Sequence, residues 1–215
     1  MPRRAAACLV ALTLSLQLAR AEPKPKPRWL VAPEADFRHF TDYCWFALGA
    51  LSGFVSHELG HVIADLAYGK SISFVRTDLG PFPFFAIQPC CNLTGQQQYV
   101  VASMGFNVQS LSSELVLWLA PKMRSQRRAF LKGILVLDVG LSLGYGITAL
   151  AGIGPPQSDV NTMARGLQIP TWPIGIWLIV PALLDIYRYL VPGSRWAPWL
   201  SLQGKAFNLG LAFTF

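Results

Sequence analysis

The sequence predicts an all-α membrane protein, with about four transmembrane helices and a small β-hairpin or re-entrant element beside them. Three observations carry that expectation. Of the 215 residues, 53% are hydrophobic and only 13% charged, with mean hydropathy +0.39, whereas a soluble domain carries nearer a quarter charged residues. Apolar runs long enough to cross a bilayer recur along the chain, a span needing roughly 20 residues at about 1.5 Å each. The net charge of +7 comes from basic residues set between those runs, as membrane-flanking charges are, which argues against a nucleic-acid partner. The length allows one domain and little else.

Residues 1–21 read as a signal peptide. Arg3 and Arg4 supply the basic start, residues 5–18 the apolar core, and Ala19-Arg20-Ala21 an A-x-A cleavage pattern. An uncleaved anchor helix fits the same pattern. Residues 22–42 form a Pro/Lys-rich linker, extended over 22–28. The first span is expected over 43–69, where Gly49, Gly53, Ser56 and Gly60 make a small-residue ridge that lets another helix approach closely.

Residues 71–97 are not helical in character. The 71–75 run alternates, 78–81 reads as a turn and 82–87 is rich in aromatics, so a hairpin or re-entrant loop is expected. Further spans are expected over 98–120, 129–152 and 172–190, giving a membrane-embedded core over 43–190. Between the last two, Gly154-Pro155-Pro156 opens a breaker-rich loop. The tail, 191–215, ends in an alternating run expected to form a strand and pair with the 71–87 hairpin. Asn92-Leu93-Thr94 has the glycosylation pattern. Cys44, Cys90 and Cys91 show no CxxC spacing, which excludes a thiolate zinc knuckle; isolated buried thiols, or a bond from Cys44 to its distant partners, stay open.

Outside the signal peptide, twelve Lys and Arg fall in 22–42, 121–132 and 188–205, against three elsewhere. The positive-inside rule puts the start of the first span in the cytoplasm, while a cleaved signal peptide puts it outside. Four simple spans cannot satisfy both, so the orientation is open.

The chemistry concentrates in Ser56-His57-Glu58-Leu59-Gly60-His61. On a helix, residues four apart share a face, so His57 and His61 can address one ion. Glu58 then lies beside the metal, positioned as general base for a water whose pKa zinc lowers towards 7; the hydroxide attacks a peptide carbonyl that zinc also polarises. Each charged group in an apolar span costs roughly 2.5 kcal/mol or more, which weighs against accident. His57 and His61 are therefore candidate metal ligands, Glu58 the candidate catalytic base, and Zn2+ the cofactor. His39, outside the span, is expected at the surface. Asp65 either orients His61 or is solvated at the interface.

A catalytic zinc takes three protein ligands and keeps an open position. With no further histidine in reach, a carboxylate must complete the set: Glu114, Asp138, Asp159 or Asp185. Counting about 1.5 Å per residue from the start of the first span, His57 and His61 lie roughly 21–27 Å deep, Glu114 about 9 Å and Asp138 about 13 Å. Asp185 sits near mid-depth. Asp159 lies in the loop at the far face and reaches the pair if Gly154-Pro155-Pro156 dips inward.

With these residues in view, the chain resembles the site-2 protease family of intramembrane zinc metalloproteases. The specific part is the H-E-L-G-H helix followed by a hairpin and another span. Pro155-Pro156-Gln157-Ser158-Asp159, about a hundred residues after His57, looks like a divergent form of the family's L-D-G or N-P-D-G segment. Val101-Ala102-Ser103-Met104-Gly105 is similar to its V-A-x-A-G-P-x-x-N, with Phe106 replacing proline and Gln109 standing where the asparagine would be. Val160 rather than glycine follows Asp159, Leu137-Asp138-Val139-Gly140 is a competing match, and no PDZ domain is recognisable.

The resemblance implies Asp159 as third ligand, with Asp138 next, and hydrolysis of peptide bonds in a membrane-protein substrate within the lipid bilayer. Gln109 would donate to a substrate backbone or oxyanion, and the 71–87 hairpin would hold an unwound substrate strand by edge pairing. The expected location is multi-pass in a membrane, taken as a bacterial inner membrane. A non-catalytic adaptor or degenerate protease of the same fold is the alternative, and a small transporter or channel a third.

Overall fold

The structure, a computed structural model, describes residues 37–79, 82–89, 93–191, 196–203 and 206–213, all within the unit Pro33–Phe215. The expected signal peptide, residues 22–36 of the linker, Cys8, Cys90, Cys91 and Asn92 lie outside the described residues. The described chain is mostly helical. Its helices are α1 (Phe40–Ala67), α2 (Gly95–Leu119), α3 (Ala129–Ala151), α4 (Asp159–Leu167) and α5 (Trp172–Leu190), with a 3-10 turn at Met123–Ser125. Its strands are β1 (Ile72–Leu79), β2 (Phe82–Pro89), β3 (Trp196–Gln203) and β4 (Ala206–Phe213).

Among the described residues, α3 and α5 are long and apolar enough to cross a membrane. At 28 and 25 residues, α1 and α2 have the length but carry more polar side chains. Those side chains face inward. Along α1, Leu48, Leu51, Val55, Leu59, Ile63 and Leu66 are 45–59% exposed, while Gly53, His57, His61 and Asp65 on the other side are buried. On α2, Leu111, Leu115, Trp118 and Leu119 are exposed while Ser103, Gln109 and Ser113 are buried. A water-soluble helix shows the reverse pattern.

Glycines permit the close helix contacts. Gly49 and Gly133 lie at the α1–α3 contact, Gly60 and Gly105 at α1–α2, Gly95 and Gly166 at α2–α4, and Gly146 and Gly175 at α3–α5. A Cβ on Gly60 would sit 2.7 Å from the Met104 carbonyl oxygen, and one on Gly175 2.8 Å from that of Gly146. The expected ridge on the first helix is thus used by its glycines. Ser56 turns its hydroxyl to the Ser52 carbonyl of its own helix at 2.8 Å. Phe106, Met163, Ile174, Trp177 and Leu178 form the apolar cluster that joins α2, α4 and α5 beside the site described below.

Local signals set the helix ends. Thr94 and Gln97 form a capping box, Gln97 N–H to Thr94 Oγ1 at 3.3 Å and Thr94 N–H to Gln97 Oε1 at 3.0 Å, so α2 starts a little before its apolar run. Gly152, in the left-handed region at φ 65°, ends α3. At the opposite end of α3, the Arg127 guanidinium grips Asp42 at the start of α1, Nε to Oδ1 2.9 Å and NH2 to Oδ2 3.0 Å.

β1 and β2 form the expected antiparallel hairpin, from Ile72↔Pro89 to Leu79↔Phe82. The tail strand does not join them. β4 pairs with β3, from Trp196↔Phe213 to Gln203↔Ala206, in a separate sheet. Only Gly204 and Lys205 separate the two runs in sequence, and closing so short a loop costs far less entropy than reaching back to 71–87. Cys44 is a free thiol and is exposed rather than buried.

Candidate metal centre

α1 presents His57 and His61 one turn apart, with their Nε2 atoms 3.2 Å from each other. Asp159 Oδ2 lies 3.6 Å from His57 Nε2 and 3.5 Å from His61 Nε2. Among the described residues, these three form a group that could hold a metal ion.

Asp159 reaches the pair as the first residue of a helix rather than as part of an inward-dipping loop. Ser158 caps that helix, accepting the Asn161 N–H at 3.4 Å through its hydroxyl and the Thr162 N–H at 2.9 Å through its carbonyl. Val160, Met163 and Ala164 are buried, and Gly166 lies against the Gly95 backbone. α4 is thereby fixed on α2, with Asp159 turned towards α1.

The acceptors behind the histidines settle which ring nitrogen faces the site. His57 Nδ1 lies 2.9 Å from Gln109 Oε1, and His61 Nδ1 lies 2.8 Å from the Val101 carbonyl oxygen. Oxygens of this kind only accept, so each Nδ1 carries a proton, and in the neutral ring Nε2 then turns its lone pair inward. Two imidazole lone pairs and a carboxylate oxygen within 3.6 Å repel one another unless a positive charge lies between them.

Gln109 is 1% exposed and its amide is fully engaged. Besides holding His57, its Nε2 donates to Ser142 Oγ at 2.6 Å and to the Asp138 carbonyl. The expected role as donor to substrate or oxyanion is therefore not open to it: the side chain points behind His57, not into the site. Gly105 lies on the site side of α2. A Cβ there would come within 2.8 Å of His57 Nε2 and closer still to His61 Nε2. The Phe106 ring packs edge-on against His57 at 5.1 Å.

No family model, no curated protein and no solved structure matches the chain.

Its donor set thus rests on its own geometry, and the other expected residues are sorted by that geometry. Glu58 is half-buried and within electrostatic range of His57, His61 and Asp159, beside the ligand group rather than in it. Asp138 is 1% exposed; its Oδ2 accepts from Ser113 Oγ at 3.4 Å and its Oδ1 has no partner among the described residues. It lies behind Gln109, outside the group of three. Glu114 pairs with Arg188, whose NH1 is also 3.6 Å from Asp185 Oδ1, so these two acids belong to a separate cluster. Asp65 is fully buried, and among the described residues neither carboxylate oxygen has a hydrogen-bond partner. It is neither solvated nor orienting His61, which faces Val101 instead. His39 is exposed just ahead of α1, as expected.

Three contributors carried no signal in the sequence. The Val101 carbonyl is main chain and leaves no signature. Ser142, which holds Gln109 from α3, carries no motif. Gly105 belonged to the V-A-S-M-G run but gave no sign that it lies against the histidines.

Proposed function

We propose that this chain is a membrane-embedded zinc metallopeptidase that hydrolyses peptide bonds of membrane proteins. The observation that carries the reading is the triangle of His57 Nε2, His61 Nε2 and Asp159 Oδ2. A tetrahedral zinc with ligand bonds of about 2.0–2.1 Å has ligand–ligand edges of about 3.3–3.4 Å, and the edges here are 3.2, 3.5 and 3.6 Å. Two nitrogens and one carboxylate oxygen suit zinc better than calcium or magnesium, which favour oxygen throughout. Three protein ligands rather than four match a hydrolytic site with one position open.

When bound, zinc supplies Lewis acidity, making water nucleophilic near neutral pH and polarising the carbonyl under attack. The chain's own residues do the rest. His57, His61 and Asp159 hold the ion, with Gln109 and the Val101 carbonyl fixing the two rings. Glu58 takes the proton from the attacking water and passes it to the leaving amine. In this reading α1, α2, α3 and α5 all cross the bilayer. The support for α1 and α2 is their inverted pattern, apolar stripes outward and polar groups inward, since a charged group facing lipid costs about 2.5–3.5 kcal/mol. Substrate peptide must unwind to expose a carbonyl, and an edge of the β1–β2 hairpin is available to pair with it.

The test combines metal analysis with cleavage. Purified wild type and Glu58→Gln should both hold stoichiometric zinc, and so should Asp138→Ala; Asp159→Ala should lose it. Cleavage of a transmembrane substrate in liposomes should fall about 10²–10⁴-fold in Glu58→Gln. Zinc retained in Asp159→Ala rejects the ligand set, and full activity in Glu58→Gln rejects the base.

A further inference from the structure

Peptide hydrolysis as proposed leaves one developing charge without a protein partner. As water adds to the carbonyl carbon, the π electron pair moves to the oxygen, and a donor already aimed at that oxygen is worth about 10²–10³-fold in kcat. Gln109 cannot serve, because both its N–H bonds are directed to α3. A second candidate donor among the described residues is the Tyr145 hydroxyl, in electrostatic range of Asp159 and Glu58.

Tyr145 is on α3, three residues after Ser142, on the face that supports Gln109 and, through it, His57. Its ring packs edge-on against Phe106 at 5.2 Å, and Phe106 packs in turn on His57 at 5.1 Å. It also lies against the apolar cluster containing Val160 and Met163 of α4, the helix that presents Asp159. The ring is thus wedged between the supports of two ligands on different helices. It is half-buried, and its hydroxyl is in electrostatic range of both Asp159 and Glu58. Among the described residues that hydroxyl makes no hydrogen bond, the Thr148 contact going to the Tyr145 main-chain carbonyl. This phenol is held by apolar packing on the residues that support His57 and Asp159, and among the described residues its hydroxyl has no hydrogen-bond partner.

We infer that the Tyr145 hydroxyl donates the hydrogen bond that stabilises the oxyanion formed at the scissile carbonyl. The inference rests on the hydrolase reading above. The phenol keeps its proton throughout. The water proton goes to Glu58, the new C–O bond forms as the carbonyl π pair moves to oxygen, and the oxyanion accepts from Tyr145. On collapse the pair returns, the C–N bond breaks and Glu58 delivers its proton to the amine nitrogen. The transition state, not the ground state, gains from the contact.

Tyr145→Phe removes the donor and keeps the ring on Phe106. Zinc content and KM should match wild type, while kcat falls about 10²–10³-fold. Affinity for a phosphonamidate peptide, a tetrahedral mimic of the oxyanion, should fall in parallel with kcat/KM, and affinity for the cleaved peptide product should not change. The metal-free variant should unfold at the wild-type temperature. Unchanged kcat, or a loss that tracks lost zinc or raised KM, overturns the inference while leaving the hydrolase reading intact. Wild type that holds zinc but cleaves no membrane peptide sinks both.

Discussion

His57 Nδ1 and Gln109 Oε1 meet 2.9 Å apart in a buried contact between α1 and α2. The bond fixes the ring's tautomer and plane, and Gln109 is itself held from α3 by Ser142 and the Asp138 carbonyl. Losing such a partner behind a metal-bound histidine costs about 10–100-fold in metal affinity. Gln109→Leu should weaken zinc binding by that factor and, by leaving the His57 N–H buried and unpaired, cost about 1–3 kcal/mol of stability. Gln109→Glu keeps an acceptor in place and should fall between the two. Competition with a chromophoric chelator reads the affinity; an unchanged value in Gln109→Leu would show that the contact does not support the site.

Gly105→Ala separates the site from the helix that carries it. In a helix interior alanine is favoured over glycine by about 1 kcal/mol, so α2 alone should gain. The added Cβ, however, would lie 2.8 Å from His57 Nε2 and closer to His61 Nε2. Both rings are tethered through Nδ1 and cannot swing aside without breaking those bonds. The expected variant is folded and helical by circular dichroism but has lost most of its zinc. Wild-type zinc content in it would mean that α2 does not wall the ligand pair.

The helical core was legible because apolar runs and small-residue spacing are local properties, and α3 and α5 begin and end within a residue of the expected spans. The His57–Glu58–His61 trio was legible because one helix carries it. Asp159 and Asp138 could not be separated from sequence by chemistry: both are acids near plausible motifs, and depth along a span says nothing of a residue on a short, separately capped helix. Ser158 was the signal for that cap, obscured by the prolines ahead of it. The role of Gln109 depends on how α2 is rotated against α1 and α3, which no local pattern encodes. β3 was missed because Pro198 argues against a strand, although Gly204-Lys205 between two alternating runs is a hairpin signal.

The Asp42–Arg127 clasp gives a pH dependence of known sign. Burial pushes the Asp42 carboxyl up, but the Arg127 guanidinium and the His39 N–H, 3.1 Å from Oδ2, outweigh it and hold the group below its ordinary 3.8. A carboxyl whose folded pKa lies below its unfolded one stabilises the fold in full above the unfolded value, and that contribution fades as pH falls through the folded one. The clasp should therefore stabilise the protein evenly from neutral pH down to about 3.8 and lose its effect below it. Thermal unfolding in detergent, wild type against Asp42→Asn, should show a gap that closes as acid carries the pH below 3.8; taking the difference cancels the other carboxylates. Arg127 is about half exposed, so added salt should narrow the gap as well. A gap that stays open in acid far below 3.8 would mean that it does not come from the ionised carboxyl, and the tie between the start of α1 and the start of α3 would need another source.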